Sequence, residues 1–268
     1  MQQSKPARNL ILVALMAAVL AVAGVMLAST QAHADGGKII KAGDAKIMIW
    51  PDELKYVKSP SVYYCGPVNK KKTSYTVPKT VKFKYKGKSY TGKVNGIENE
   101  AFKGCNKAKT ITIKANVGYI GTRAFYKCKN LQRVKAKDYT IVGIGDSAFE
   151  GCKKLTSIPK LKAGDGYLNI GKKAFKDCVK LKGITIKMTA SKYSAGSITI
   201  SERAFENCKA LKKISLSKPT KSESPTLEIY KNAFKGCKKL TAITNYKYYS
   251  IGGDGANMAG TPLAGKLV

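Results

Sequence analysis

The chain has 268 residues, 44% of them hydrophobic and 24% charged, a balance that can bury a core and is not that of a disordered segment. Lys and Arg number 49 against 16 Asp and Glu, a formal net charge of +33, and only four of those cations are Arg. His33 is the single histidine, so any part of the chain without it lacks the base of Ser-His-Asp and Cys-His catalysis and the imidazole of mixed zinc sites.

Residues 1–34 read as a secretory signal peptide. Lys5 and Arg8 form a basic start, Leu10 to Leu27 is an uncharged run of apolar and small residues, and Ala32-His33-Ala34 is a small-x-small site before Asp35. The competing reading is an uncleaved membrane anchor, because the run approaches the length of a minimal spanning helix. The small-residue site and the polar Asp35-Gly36-Gly37 favour cleavage. Cleavage after Ala34 removes the only histidine and leaves 47 cations against 16 acids, a net charge of +31.

Residues 35–96 are expected to form an N-terminal β-rich cap. Val81, Phe83 and Tyr85 alternate with Lys82 and Lys84, and Lys86-Gly87-Lys88 precedes Tyr90 and Val94, which is a hairpin pattern. Ile47–Trp50 and Ser61–Tyr64 read as further short strands. This region holds the only Trp and five Tyr between Tyr63 and Tyr90. Trp50, Tyr63 and Tyr64 are therefore the candidate aromatics for a binding site in the cap, a glycan site among the options.

Residues 97–250 repeat. Ala-Phe-x-x-Cys begins at Ala101, Ala124, Ala148, Ala174, Ala204 and Ala233, and its Phe positions are spaced by 23, 24, 26, 30 and 29 residues. Four residues before each Ala stands an Ile: Ile97, Ile120, Ile144, Ile170, Ile200 or Ile229. Three after each Cys stands Leu131, Leu155, Leu181, Leu211 or Leu240, with Ala108 in the first copy. Six after each Cys stands Ile111, Val134, Ile158, Ile184, Ile214 or Ile243. A unit this short cannot bury its apolar side alone, so the copies must stack and turn each column into a ladder. The alternation after the Leu position, as in Ile111-Thr112-Ile113, predicts a short strand. Ala-Phe-x-x-Cys predicts a tight turn, being too short for an independent helix. Six stacked strands would span about 29 Å.

The pattern Ile-Gly-x-x-Ala-Phe-x-x-Cys-x-x-Leu-x-x-Ile resembles the BspA-type leucine-rich repeat family. The resemblance implies an α/β, β-rich fold: a right-handed leucine-rich-repeat solenoid of about six to seven coils carrying the N-terminal cap. It also implies a secreted or cell-surface protein of the adhesin or recognition kind whose repeats hold no catalytic residues. The chain departs from the pattern at Ala108, and at Pro159, which should shift the strand after Ile158. Polar insertions around Lys187 to Ser197 and Lys218 to Thr226 are expected to be extruded loops. Residues 251–268 read as a degenerate C-terminal repeat, with Met258-Ala259 near the Ala-Phe position.

Six of the seven cysteines occupy one column, where Cys serves as a small buried hydrophobe. No Cys-x-x-Cys pair points to a metal, and reduced thiols are expected throughout. Phe102 and Phe234, near the ends of the stack, are expected to matter less than the central Phe149 and Phe175.

Lysines follow every column Cys, and a second set stands at outward strand positions. The strand set defines the candidate binding face: Thr110, Thr112, Lys114, Arg133, Lys135, Lys137, Thr185, Lys187, Lys213 and Ser215. Its simplest reading is a solvated surface that protects apolar strands. Its sharper reading is a polyanion-binding surface, because like charge on a rigid lattice focuses potential. Candidate ligands are a protein or a polyanionic polymer such as a cell-wall phosphate polymer or an acidic glycan. Scarce Arg argues against sequence-specific nucleic-acid reading. Asp52–Glu53 and Glu98–Glu100 fall in no recognisable catalytic motif, so the chain is expected to be neither an enzyme nor a cofactor binder. The function expected is an exported adhesion or recognition module. The alternative is a structural envelope protein held on wall polyanions by charge, without a specific partner.

Overall fold

The computed structural model describes residues 36–136, 141, 143–163, 166–188, 196–219, 224–255 and 258–265. The expected signal peptide at 1–34, Lys137 and the centres of both polar insertions lie outside them.

Six strands form in the region expected to cap the repeats: β1 (Lys38–Ala42), β2 (Ala45–Ile49), β3 (Ser61–Pro67), β4 (Ser74–Val77), β5 (Thr80–Tyr85) and β6 (Lys88–Ile97). The β5–β6 hairpin is the one expected from sequence, paired from Thr80–Lys93 to Tyr85–Lys88. Lys86 and Gly87 both have positive φ, 47° and 78°, the backbone of a two-residue turn matched to strand twist. β1 and β4 are not among the strands expected from sequence.

Each repeat contributes two strands, not the one expected. One ends at or near the repeat Ile: β8 (Tyr119–Ile120), β10 (Gly143–Ile144), β12 (Tyr167–Ile170), β14 (Ser197–Ile200), β16 (Thr226–Ile229) and β18 (Ser250–Gly252). These continue from β6 as a parallel ladder, and with β1, β2, β3 and β5 they form one eleven-stranded sheet. Cap and repeats thus share a sheet through β6.

The second set is the predicted one: β7 (Thr110–Ile113), β9 (Arg133–Ala136), β11 (Leu161–Ala163), β13 (Gly183–Met188), β15 (Lys213–Leu216) and β17 (Ala242–Thr244). β4 of the cap pairs β7 from Ser74–Thr110 to Val77–Ile113, so this face begins one coil before the repeats. It is broken in the middle. β4-β7-β9 form one sheet and β11-β13-β15-β17 another, and between them the strand pairing is reduced to an isolated bridge of Arg133 with Ser157. Pro159 accounts for the break, since it has no N–H for the ladder.

Between the two strands lies the Ala-Phe-x-x-Cys turn. Each Cys N–H bonds the Phe carbonyl three residues back, at 3.0 Å for Cys128 to Phe125. The turns also ladder between coils: the Phe125 N–H reaches the Ala148 carbonyl and the Phe149 N–H the Ala174 carbonyl, both at 2.7 Å. Two residues per turn adopt left-handed backbone, the one before Ala (Glu100, Arg123, Ser147, Lys173, Arg203, Asn232) and the one before Cys (Gly104, Lys127, Gly151, Asp177, Asn207, Gly236). Gly145, after its repeat Ile, serves a different need: a Cβ there would stand 2.6 Å from the Thr122 backbone nitrogen.

The core is continuous from cap to C-terminus. The six repeat Phe rings stack with centroids 4.7 to 5.3 Å apart and planes within 14°. Phe102 is not the end of this stack. Tyr64 stacks on it at 5.5 Å and Tyr75 meets it edge-on at 5.8 Å, so the expectation that Phe102 is a soft terminal position is corrected. Every column Cys is buried and none is disulfide-bonded. At the far end Met258 is buried and its N–H bonds the Gly255 carbonyl. That bond is like the one from Ala148 N–H to the Gly145 carbonyl, but Met258 has a φ of 57° where no repeat Ala is left-handed, so this end follows the repeat turn only in part.

Candidate binding face

The strand face is built by period-two alternation. In β7, Ile111 and Ile113 point inward and Thr110 and Thr112 outward; β9 repeats this with Val134 buried and Arg133 and Lys135 exposed. Parallel pairing then aligns outward residues in rows. Thr110 stands beside Arg133 and Thr112 beside Lys135. Beyond the break, Thr185 stands beside Ser215, and Gly183 beside Lys213. Lys162 lies directly opposite Lys187, a like-charge neighbour pair that destabilises a sheet unless something offsets it. Lys114 is exposed just past β7. Of the predicted face residues, all but Lys137 are placed, and all are outward. They do not form one uninterrupted sheet, because Pro159 divides Thr110–Lys135 from Thr185–Ser215.

Charge is segregated around each coil. From every column Cys to the end of the following strand the chain carries two to four Lys or Arg and no Asp or Glu. Acids gather instead on the turn edge between the repeat Ile and the Cys: Glu98, Glu100, Asp146, Glu150, Asp177, Glu202 and Glu206. Cations of the same edge meet them there, several across coils. Arg123 pairs with Glu100 at 3.0 Å, Lys172 with Glu202 at 2.8 Å and Lys176 with Glu206 at 2.9 Å. Arg203 holds Glu206 with both a 2.8 Å and a 3.0 Å bond, and that guanidinium, with Lys176, keeps the Glu206 carboxyl below its ordinary pKa against the opposing effect of burial. A hydrogen bond from Lys103 does the same for Glu100. Among the described residues no salt bridge reaches the strand-face cations; the remaining ones, Lys55–Asp52 and Lys72–Asp44, lie in the cap. The turn edge is therefore close to charge balance, its seven acids facing nine cations, and the strand face is left positive.

The cap aromatics divide. Tyr64 is 2% exposed and belongs to the ring stack, so its place among surface-binding aromatics is corrected. Tyr64 follows Tyr63 in β3, and period two sends it to the opposite side. Tyr63 and Trp50 are half-buried and meet edge-on at 5.5 Å. The Tyr63 ring lies over Gly96, where a Cβ would come within 2.5 Å of it. What sequence reasoning missed on the face is the start of its rows in the cap, Ser74 and Thr76. The signal was there in Ser74-Tyr75-Thr76-Val77, which alternates as Thr110–Ile113 does. Among the described residues no three His, Cys, Asp or Glu side chains converge as a metal site.

Comparison with known proteins places this architecture. The profile of the BspA type leucine rich repeat region matches residues 82–195 and 170–255, in six copies. A leucine-rich repeat protein from T. pallidum, TpLRR, is similar in structure with a TM-score of 0.54 and 21% identity, over 78% of this chain and 82% of that one. A leucine rich cell surface protein from Faecalibacterium prausnitzii A2-165 gives a TM-score of 0.48 and 23% identity over 79% of this chain and 55% of that one. A leucine-rich repeat protein from Bacteroides ovatus gives 0.47 and 22% over 85% and 56%. No curated protein matches the chain.

Proposed function

The chain belongs to the BspA-type leucine-rich repeat family, and from that premise we propose that it is an exported, non-catalytic recognition module whose strand face binds an acidic polymer. One observation carries the reading: the face from each Cys to the end of its strand holds cations without a single acid, while Glu100, Glu202 and Glu206 of the turn edge pair with cations of that same edge. A merely soluble surface mixes signs. A face cleared of acids keeps its potential and draws in polyanions. Lysine suits this role, being a mobile point charge that follows a flexible chain without demanding one geometry.

A protein partner and a purely structural hold on wall polyanions are the rival readings; salt dependence separates the first and polymer selectivity the second. Binding to a polyanion through several lysines must fall steeply as salt rises. The purified protein should bind immobilised phosphate- or sulfate-bearing polymers at low salt and lose them progressively with added NaCl. Salt-insensitive binding to one protein, with no binding to polyanions, would replace this reading with a protein-recognition one. Equal retention by every polyanion, carboxylate polymers included, would favour the structural role.

A further inference from the structure

Arg133 differs from the other described arginines. Arg123 is paired with Glu100 and lies over the Tyr126 ring at 4.4 Å. Arg203 is held by Glu206. Arg133 stands exposed on the strand face, and among the described residues no carboxylate bridges it. In a chain of 49 basic residues with four Arg, the one face cation with a planar, two-pronged donor set is here.

It stands at the break between the two face sheets. The ladder from β9 to the next coil shrinks here to an isolated bridge between Arg133 and Ser157, and a groove of about 210 Å³ opens there, lined by Gln132, Arg133, Lys154, Thr156 and Lys180. Three successive coils contribute one cation each. Lys154 is steadied by donating to the Asn130 Oδ1 at 2.8 Å, and Thr156 Oγ1 donates to the Gln132 carbonyl oxygen at 3.0 Å, tying two coils together under the groove.

We propose that this groove seats one tetrahedral oxyanion group, a phosphate or a sulfate, of the bound polymer, and so anchors the chain that the rest of the face holds loosely; the inference rests on the polyanion reading of that face. The donor set decides the anion. A carboxylate offers two oxygens, which the Arg fork alone can satisfy. A sulfate ester offers a third terminal oxygen, and a phosphodiester sets its two terminal oxygens out of one plane with bridging oxygens beside them, so Lys154 and Lys180 can reach either group from the sides, with Gln132 as a neutral donor. The break supplies what the unbroken ladder does not, a concavity between coils in place of a flat row.

The test compares two charge-matched variants of the purified protein, both checked for an unchanged thermal melt. One is Arg133→Gln with Lys154→Gln and Lys180→Gln; the other is Lys107→Gln with Lys209→Gln and Lys238→Gln. Binding is titrated against inorganic polyphosphate, dextran sulfate and polyglutamate at one fixed salt concentration. The groove variant should lose roughly tenfold more affinity than its control for polyphosphate, dextran sulfate or both, and no more than its control for polyglutamate. The polymer that responds identifies the source of the oxyanion. Arg133→Lys, which keeps the charge and removes the fork, should weaken the responding polymer several-fold and serves alone if the triple variant does not fold. Equal losses for groove and control variants on both phosphate and sulfate polymers would overturn the groove and leave the face reading standing. No binding of any polymer by the unaltered protein would overturn both.

Discussion

The Cys152 thiol donates to the carbonyl oxygen of Phe125, one coil away, at 3.1 Å. That oxygen already accepts the Cys128 N–H at 3.0 Å. The relation recurs from Cys178 to Phe149, Cys208 to Phe175 and Cys237 to Phe205, at 3.0 to 3.1 Å. Cysteine is thus more than a small filler in this column: it gives a buried carbonyl its second partner and links consecutive coils.

Cys152→Ala should therefore cost about 1–2 kcal/mol, from the lost donor and the small void left beside Phe149. Cys152→Ser, which keeps a donor of similar size, should cost less. Denaturant melts of the two variants check this, and a larger loss for Ser would deny the hydrogen bond its role.

The same burial makes stability depend on alkaline pH. Burial pushes the Cys128 thiol up to about 12, and desolvation raises Cys152 and Cys178 as well. In the unfolded chain these thiols ionise near pH 8.5–9, while the folded state keeps them protonated. The folded pKa is raised, so this stability is fully present below about pH 8.5 and is lost as pH climbs towards the folded values. Each such thiol should remove up to about 1.4 kcal/mol per pH unit in that window. The thermal midpoint should fall steeply above pH 9, and less steeply in Cys152→Ala. Native protein should resist alkylation until unfolded.

The ring stack gives a second comparison. Phe149→Ala should cost about 3–5 kcal/mol, because neighbours on both sides hold the cavity open. Phe102→Ala should cost about as much, since Tyr64 and Tyr75 confine it. Phe234, last of the rings, should cost less. Urea titrations that rank Phe102 with Phe234 would contradict the continuity of cap and repeats.

Left-handed positions occupied by ordinary residues can be improved. Lys127 has a φ of 54° where other coils place Gly104, Gly151 or Gly236. Lys127→Gly should raise stability by about 0.5–1 kcal/mol, relieved steric strain outweighing the added unfolded-state entropy. Lys129→Gly, two residues on, should lower it. A melt showing both variants destabilised would remove strain at Lys127 as the explanation.

The inward columns of the face strands were legible in sequence because period two and a fixed spacing leave one arrangement that buries Ile111, Val134, Ile184 and Ile214 together. The first sheet was not. β8 and β10 are two residues long, too short for alternation to register; β12, β14 and β16 do alternate, in Tyr167-Leu168-Asn169-Ile170, Ser197-Ile198-Thr199-Ile200 and Thr226-Leu227-Glu228-Ile229, but only these three coils carry the pattern, so the repeat Ile alone marks a column and not a strand. Tyr64 misled because composition marks an aromatic cluster without saying which side of a strand each ring takes. The charge sorting was half visible: lysines after each Cys stood out, but the answering acids became meaningful only when Glu100 met Arg123, and Glu206 met Lys176, across coils. The groove at Arg133 depends on the sheet break, of which Pro159 was the sole sequence trace.

The most direct measurement is polyanion binding by a variant carrying Lys135→Glu, Lys162→Glu, Lys187→Glu and Lys213→Glu, titrated with salt beside the unaltered protein. These side chains lie outside the core, and exposed substitutions usually move stability by less than about 0.5 kcal/mol each. Lowering the net charge should also relieve self-repulsion, so the thermal midpoint should hold or rise. The account predicts that polyphosphate or dextran sulfate binding collapses and that the remaining affinity responds less to salt. A folded variant that binds these polymers as tightly as before, with the same salt dependence, would contradict it.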